Sequence, residues 1–174
     1  MSVDELFLAR SRYYLRHEYL PKIEQAVAGL PEEALWSRAN DASNAAGNLV
    51  LHLAGNVRQW LVHGVRGAPD ERERQAEFDR RDPLPREELL RRLRAAVEAA
   101  DAALAGVTAP MLLETRIIQG REVTVFEAIY HAVEHFAGHT GQIVLLVKQV
   151  VPDAARFYTL VDGHPRGQWP GADH

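Results

Sequence analysis

The sequence contains no cysteine. This absence excludes disulfide bonds, thiolate metal ligands and a cysteine nucleophile, and it leaves histidine, aspartate and glutamate as the candidate metal ligands. The chain also lacks a surplus of positive charge, because its formal net charge is -4. Proteins that bind nucleic acids need such a surplus to neutralise phosphates, so we expect no nucleic acid among the partners.

Long apolar runs are missing as well. None approaches the roughly 20 residues that a helix needs to cross a membrane. The first residues, Met-Ser-Val-Asp-Glu-Leu, lack the basic segment and apolar run of a signal peptide. We therefore expect a cytoplasmic protein with no membrane partner. With 174 residues, of which 47% are hydrophobic and 25% charged, the chain suits one globular domain with a substantial core.

Apolar residues recur at helical spacing in four stretches of the chain. Pro21 should kink or restart the first helix. Ser43 is a candidate N-cap of the second, and Thr124 forms a capping-box pattern with Glu127 at the start of the fourth. The four stretches are residues 4–29, 44–65, 85–104 and 124–151. They predict an all-α four-helix bundle over residues 1–151, followed by an irregular tail, residues 152–174, packed on the same domain.

The connections between these helices are mostly short. Residues 31–35 and 108–113 are expected to form short helical turns, and β-branched residues on either side of Gln119-Gly120 allow a small hairpin or an extended crossover. Residues 66–85 are different, because they are highly charged and show no periodicity. A loop of about twenty residues is unusual in a compact domain and is often functional or mobile.

The fourth helix carries three histidines, His131, His135 and His139, each four residues after the last. Residues four apart lie one above the other on a helix, and two histidines at this spacing are a known way to hold zinc. Catalytic zinc sites commonly take three protein ligands and leave one position open. A third ligand should therefore come from another helix, and His52 in the middle of the second helix is the candidate.

The same spacing has a plain alternative. At about 100° per residue, these histidines lie on sides of their helices that also carry other polar residues. All of them could then belong to the solvated faces of amphipathic helices, and spacing alone leaves both interpretations open. The polar neighbours are Glu127, Glu134, Gln142 and Gln149 in the fourth helix, and Asn48, Asn56 and Gln59 in the second.

Two stretches resemble the metal-binding segments of the DinB/YfiT-like superfamily, namely residues 48–60 (NLVLHLAGNVRQW) and 134–143 (EHFAGHTGQI). Residues 18–24 (EYLPKIE) and 118–124 (IQGREVT) resemble a subgroup of unassigned function, the DUF1572 type. The resemblance extends over nearly the whole chain, to about Gln149. It implies an up-down-down-up four-helix bundle, commonly a homodimer, in which three histidines hold a divalent metal ion.

Carried over by position, the resemblance assigns the ligands to His52, His135 and His139, with zinc or nickel as the expected metal. His131 falls outside this set, either next to the ligands or facing solvent. Gln142 either orients a ligand or is a surface amide.

The resemblance also indicates an activity, because relatives include enzymes that use low-molecular-weight thiols. It implies a thiol-dependent S-transferase-like enzyme that acts on small electrophiles, with the thiol as co-substrate. One alternative is a non-catalytic, stress-associated metal-binding accessory protein. Another is a metal-dependent hydrolase, for which the sequence offers no convincing general base. The last is a dimeric structural module whose histidines are merely solvated.

Overall fold

Four long helices form most of the protein, and the computed structural model describes residues 1–172. The predicted four-helix bundle is confirmed, and a short additional helix lies inside the charged loop. The helices are α1, residues 3–28 (Val3–Tyr13, π-helical Tyr14–Tyr19 and Leu20–Ala28); α2, residues 46–66 (Ala46–Val57, π-helical Arg58–His63 and Gly64–Arg66); α3, Arg74–Asp79; α4, Arg86–Ala105; and α5, Val125–Val150. Short 3₁₀ turns occupy Glu33–Trp36 and Pro110–Leu113, close to the turns expected there.

Side-chain contacts establish the directions of the long helices. α1 and α5 run the same way, because their contacts advance together along both helices. α2 runs opposite to α5, and α4 runs opposite to α1, so the bundle has the expected up-down-down-up order. The pairs that establish this are Phe7–Phe126 and Tyr19–Phe136, His52–His139 and Trp60–His131, and Arg12–Asp101 and Arg94–Glu24.

The N-terminal caps of α2 and α5 differ in how well the sequence predicted them. At α5 the capping box is confirmed, because the Thr124 hydroxyl accepts the Glu127 N–H at 3.1 Å and the Glu127 carboxylate accepts the Thr124 N–H at 2.7 Å. The Ser43 cap is wrong. Its hydroxyl donates to Asn40 in the preceding loop, and α2 begins at Ala46, where the Asn48 side chain accepts the N–H of Ala45.

Two small hairpins accompany the bundle. β1 (Thr115–Ile118) pairs with β2 (Arg121–Thr124) around Gln119-Gly120. Of the two possibilities for this segment, the hairpin is confirmed. β3 (Tyr158–Val161) pairs with β4 (His164–Gly167), so the expectation of an irregular tail is wrong for this segment. Both turns place two successive residues at positive φ, between 51° and 78°. Asp162-Gly163 tolerates that geometry well, which explains the second hairpin.

The tail contacts helix α1 at Pro21, where the helix also changes character. Pro21 has no N–H to donate to the carbonyl four residues earlier, and a π-helical turn, Tyr14–Tyr19, directly precedes it. The carbonyl of His17 instead accepts the indole N–H of Trp169 at 3.0 Å. The ammonium of Lys22 lies 3.7 Å from the centre of the Trp169 ring. These contacts hold residues 157–172 against the bundle.

The core lies between the four long helices, and residues from all of them are buried in it. The largest fully buried side chains include Ile23, Leu53, Leu93 and Phe136. Within residues 1–172, no helix is long and apolar enough to pass through a membrane.

Candidate metal centre

Three histidines from two helices meet between α2 and α5. The ring of His52 lies 5.0 Å from that of His135 and 4.9 Å from that of His139, and the latter two rings are 4.4 Å apart, centre to centre. One ring nitrogen from each residue lies within 4.8 Å of the other two. The fold therefore brings together the three residues that the sequence nominated as ligands, and this group could bind a metal ion.

One pair of nitrogens in the cluster has the spacing of two ligands on one cation. Nε2 of His52 and Nε2 of His135 are 3.2 Å apart. Zinc–nitrogen bonds of about 2.0–2.1 Å at tetrahedral angles place two ligand nitrogens about 3.3 Å apart. These two rings therefore fit a common ion with little movement.

The environment keeps the rings of α5 in the neutral form that a metal ligand requires. Burial, together with the neighbouring histidines, lowers the pKa of His135 to about 3. The pKa of His139 is also lowered, mainly by burial and then by His52. Nδ1 of His135 is buried and has no hydrogen-bond partner among the described residues. No group at Nδ1 therefore fixes the tautomer of this ring, and its Nε2 faces Nε2 of His52, so a cation between the two rings could take a lone pair from each.

Hydrogen bonds at the other ring nitrogens leave Nε2 of His139 and His52 for the cluster. Nδ1 of His139 contacts Oε1 of the exposed Gln142 side chain at 2.8 Å, a contact that could orient this candidate ligand. Nδ1 of His52 lies 2.9 Å from Oε2 of Glu77. Such partners commonly fix the tautomer and orientation of metal-ligating histidines.

His131 lies beside the cluster but outside it. Its ring is 4.0 Å from that of Trp60 and 5.3 Å from that of His135, and burial lowers its pKa. The residue is half-buried and packs on the indole. The alternative of a solvent-facing histidine is therefore wrong.

The solvated-face interpretation also fails for His52. Its exposed fraction is 3%, and its polar neighbours on α2 are buried with it. The segment of residues 67–80 covers this side of α2 and forms hydrogen bonds to two of these neighbours, Asn48 and Gln59. Asn48 donates to the carbonyls of Glu77 and Arg80, and Gln59 donates to Asp70.

The covering segment supplies two residues that sequence reasoning did not single out, Arg72 and Glu77. The Arg72 guanidinium donates to both carboxylate oxygens of Glu77 at 2.8 Å and to Oε1 of Gln59 at 2.9 Å. Burial alone would raise the pKa of Glu77, but the hydrogen bonds from Arg72 and His52 outweigh it and hold that pKa below its usual value. In the sequence, only the unusual length and the charge of the loop of residues 66–85 indicated a functional role for this segment.

A cleft of about 480 Å³ lies on the other side of this pair, between α2, the covering segment and α4. Arg72 and Glu77 line it and also contact His52, whereas none of the three clustered histidines lines it. The cleft and the histidine cluster are therefore separate spaces that share these two side chains.

Comparison with known proteins supports the fold and the family. A family model described as "Protein of unknown function (DUF1572)" matches residues 2–164. A search of curated proteins finds no match. Among solved structures, a DinB-like protein from Bacillus cereus is similar with a TM-score of 0.64 and 19% identity, over 83% of this chain and 91% of that one. The DinB-like protein YjoA from Bacillus subtilis is similar with a TM-score of 0.60 and 15% identity, over 83% and 90%.

Proposed function

The chain belongs to the DUF1572 family, and from this premise and the geometry of the cluster we propose that it binds a divalent metal ion through His52, His135 and His139. The observation that carries the proposal is the 3.2 Å separation of two Nε2 atoms, which contact each other and no other described hydrogen-bonding group. Imidazole ligands suit zinc and nickel, so we propose one of these as the native metal.

We further propose that the site serves a thiol-dependent S-transferase acting on small electrophiles. Three neutral imidazoles do not compensate the charge of a divalent cation, and they leave a coordination position free. A divalent cation held by His52, His135 and His139 would favour the thiolate form of a bound thiol and so supply a nucleophile. Sulfur would then attack the electrophilic carbon, the bond to the leaving group would break, and the thiol proton would pass to solvent.

A metal-dependent hydrolase is a weaker proposal for this site, because it requires a general base near the bound water. Glu77 is the carboxylate that contacts a candidate ligand, and its oxygens are already bonded to Arg72 and His52. A non-catalytic metal-binding accessory protein is the better second candidate. The observation in its favour is that none of the three histidines lines the cleft.

Elemental analysis and metal titration of purified protein test the metal proposal. We expect about one equivalent of zinc or nickel per chain, and we expect a chelator to lower the unfolding temperature. His52→Ala and His135→Ala should each lose the metal. His131→Ala is the matched control and should retain it, because its ring packs on Trp60. Equal binding by all three variants would refute the assigned ligands.

Conjugation assays separate the enzyme from the accessory protein. The metal-loaded protein is incubated with a generic electrophile and, in turn, bacillithiol, mycothiol or glutathione. We expect a rate above background with at least one thiol and loss of that rate in His135→Ala. Background rates with every thiol, from protein that binds metal normally, would leave the accessory role as the supported one.

We also propose that the protein acts in the cytoplasm as a homodimer. Apolar side chains on neighbouring parts of α1 and α5 are exposed, including Leu6 at 45%, Phe126 at 42% and Tyr130 at 61%. Phe126 stacks on Tyr130 and on Phe7, so the exposed rings form one surface. Exposed apolar patches often mark association sites. Sedimentation equilibrium should give twice the chain mass, and Phe126→Glu should restore the monomer mass.

A further inference from the structure

We propose that Glu77 is a positioning residue for His52. Its carboxylate accepts a hydrogen bond from Nδ1–H and thereby directs the lone pair of Nε2 toward the metal position. The inference rests on the proposed metal binding and goes beyond it, because it gives the covering segment, residues 67–80, a role in the affinity of the site.

The contacts of His52 Nδ1 decide which group it bonds to. Oε2 of Glu77 lies 2.9 Å away, and Nη2 of Arg72 lies 3.1 Å away. A lone pair on Nδ1 could accept from Arg72, but it would then face a carboxylate oxygen at hydrogen-bond distance, which is repulsive. Nη2 of Arg72 already has two oxygen acceptors, Glu77 Oε2 at 2.8 Å and the His52 carbonyl at 3.3 Å. All of these groups are satisfied when Nδ1 carries the proton and donates a hydrogen bond to Oε2 of Glu77.

The carboxylate is itself held firmly in place. The side chain of Glu77 is 13% exposed and that of Arg72 is 4% exposed, so the ion pair is largely shielded from water. Arg72 also bonds to Gln59, which in turn accepts from Gln119 at the tip of the β1–β2 hairpin at 2.6 Å. The orientation of His52 is thus connected to two loops that are remote from it in sequence.

Gly55 allows this approach of the covering segment to α2. A Cβ atom added at Gly55 would overlap Oε1 of Glu77 and would lie 2.9 Å from Nε of Arg72. Glycine in a helix interior costs about 1 kcal/mol relative to alanine. The close approach of the ion pair is the physical reason for a glycine one turn after His52.

The consequence for the site follows from the tautomers of imidazole. A neutral ring carries its proton on either nitrogen. The Nε2–H tautomer of His52 places a proton where the metal ligand must present a lone pair. An acceptor fixed at Nδ1 removes that tautomer, and loss of such a partner typically lowers metal affinity 10–100-fold.

Zinc titration of four proteins against a chromophoric chelator tests the affinity. We expect Glu77→Ala to bind zinc about 10–100-fold more weakly than wild type. Glu77→Gln keeps the size and one acceptor oxygen, so it should fold normally and lose less. Glu71→Gln is the matched control, because it removes the same charge from an exposed position in the same segment. It should bind zinc as wild type does.

The side-chain nitrogen spectrum of His52 tests the orientation without any metal. In ¹⁵N-labelled metal-free protein, we expect the Nδ1–H tautomer for wild type and Glu71→Gln. In Glu77→Ala we expect a mixture of tautomers. A purely structural role for Glu77 would lower stability without changing this signature. Wild type in the Nε2–H form would overturn the inference.

Gly55→Ala provides an independent route to the same contact. It should weaken zinc binding by a factor similar to that of Glu77→Ala, and the double variant should be no weaker than the worse single variant, because both act through one contact. Losses that multiply in the double variant would overturn the inference, as would wild-type affinity in Glu77→Ala. Absence of zinc binding in wild-type protein would instead refute the proposed function, while the tautomer of His52 would still report on Glu77.

Discussion

The hydrogen bond between Trp169 and the His17 carbonyl makes a specific prediction about how the tail is attached. Pro21 deprives that carbonyl of its helical donor, and the indole N–H of Trp169 takes its place at 3.0 Å. Trp169 is 9% exposed, and its ring lies over the Lys22 ammonium. Trp169→Phe should keep an aromatic ring over Lys22 and remove the donor.

The expected loss of stability has two parts. A hydrogen bond of this kind contributes about 1 kcal/mol net, and the smaller buried area of phenylalanine removes about 1 kcal/mol more. We therefore expect Trp169→Phe to lower the free energy of unfolding by about 2 kcal/mol. Urea unfolding followed by circular dichroism should show this as a midpoint lower by about 1 M, for a denaturant slope of about 2 kcal/mol/M.

Pro21→Ala separates the two parts. Alanine restores an N–H that can donate to the His17 carbonyl, so the donor of Trp169 is no longer needed. In this background Trp169→Phe should cost about 1 kcal/mol instead of 2, a coupling that a double-mutant cycle resolves. Equal costs in both backgrounds would refute the argument that the missing proline N–H is what fixes the tail.

Two further predictions concern the bundle and its first hairpin. Arg12 forms a two-pronged ion pair with Asp101 and holds the pKa of that carboxyl below its usual value of about 3.9. The contribution of this ion pair to the free energy of unfolding is fully present above about pH 4 and is lost as the pH falls through the folded-state pKa of Asp101. Arg12 is 39% exposed, so Asp101→Asn should cost only about 1 kcal/mol at pH 7, and the difference from wild type should vanish in urea unfolding at acid pH. Gly120 has φ of +73°, and no atom of residues 1–172 lies within 4 Å of an added Cβ. Gly120→Ala should therefore cost about 1 kcal/mol of unfolding free energy from backbone strain alone; unchanged stability in urea unfolding would contradict the turn geometry.

Local patterns were enough to predict the four long helices, but not the short helix Arg74–Asp79. The long apolar periodicities located all four, and the capping box at Thr124 located the start of α5, because these signals depend on residues within one or two turns. The predicted cap of α2 was wrong because the same local signal does not show which partner a side chain bonds to. Ser43 has the right side chain, but a bond to Asn40 in the preceding turn uses it. The tail hairpin was predictable from Asp162-Gly163, a dipeptide that favours its turn.

The partners of the histidines could not be predicted in this way. Glu77 reaches His52 across 25 positions of sequence, and no periodicity relates a loop carboxylate to a helix residue. The buried polar side of α2 was misleading for a related reason. Asn48, Asn56 and Gln59 have the pattern of a solvated face, but all three are buried. Asn48 and Gln59 form hydrogen bonds to residues 67–80, a segment that shows no sequence periodicity. A polar face in a helical pattern shows that the face does not pack against an apolar surface. A polar segment can still cover that face and bury it.

The three evenly spaced histidines of α5 show how a second helix determines which of them can form a metal site. His131 and His139 are eight residues apart, or about 12 Å along the axis, so they cannot share one ion, whereas His135 could pair with either. α2 runs antiparallel to α5 and presents His52 beside His135 and His139, and Trp60, two turns later, beside His131. The indole occupies the place that a third ligand would need at the His131 end. The choice between two equivalent pairs is thus made by residues of α2, which is why the spacing within α5 alone left it open.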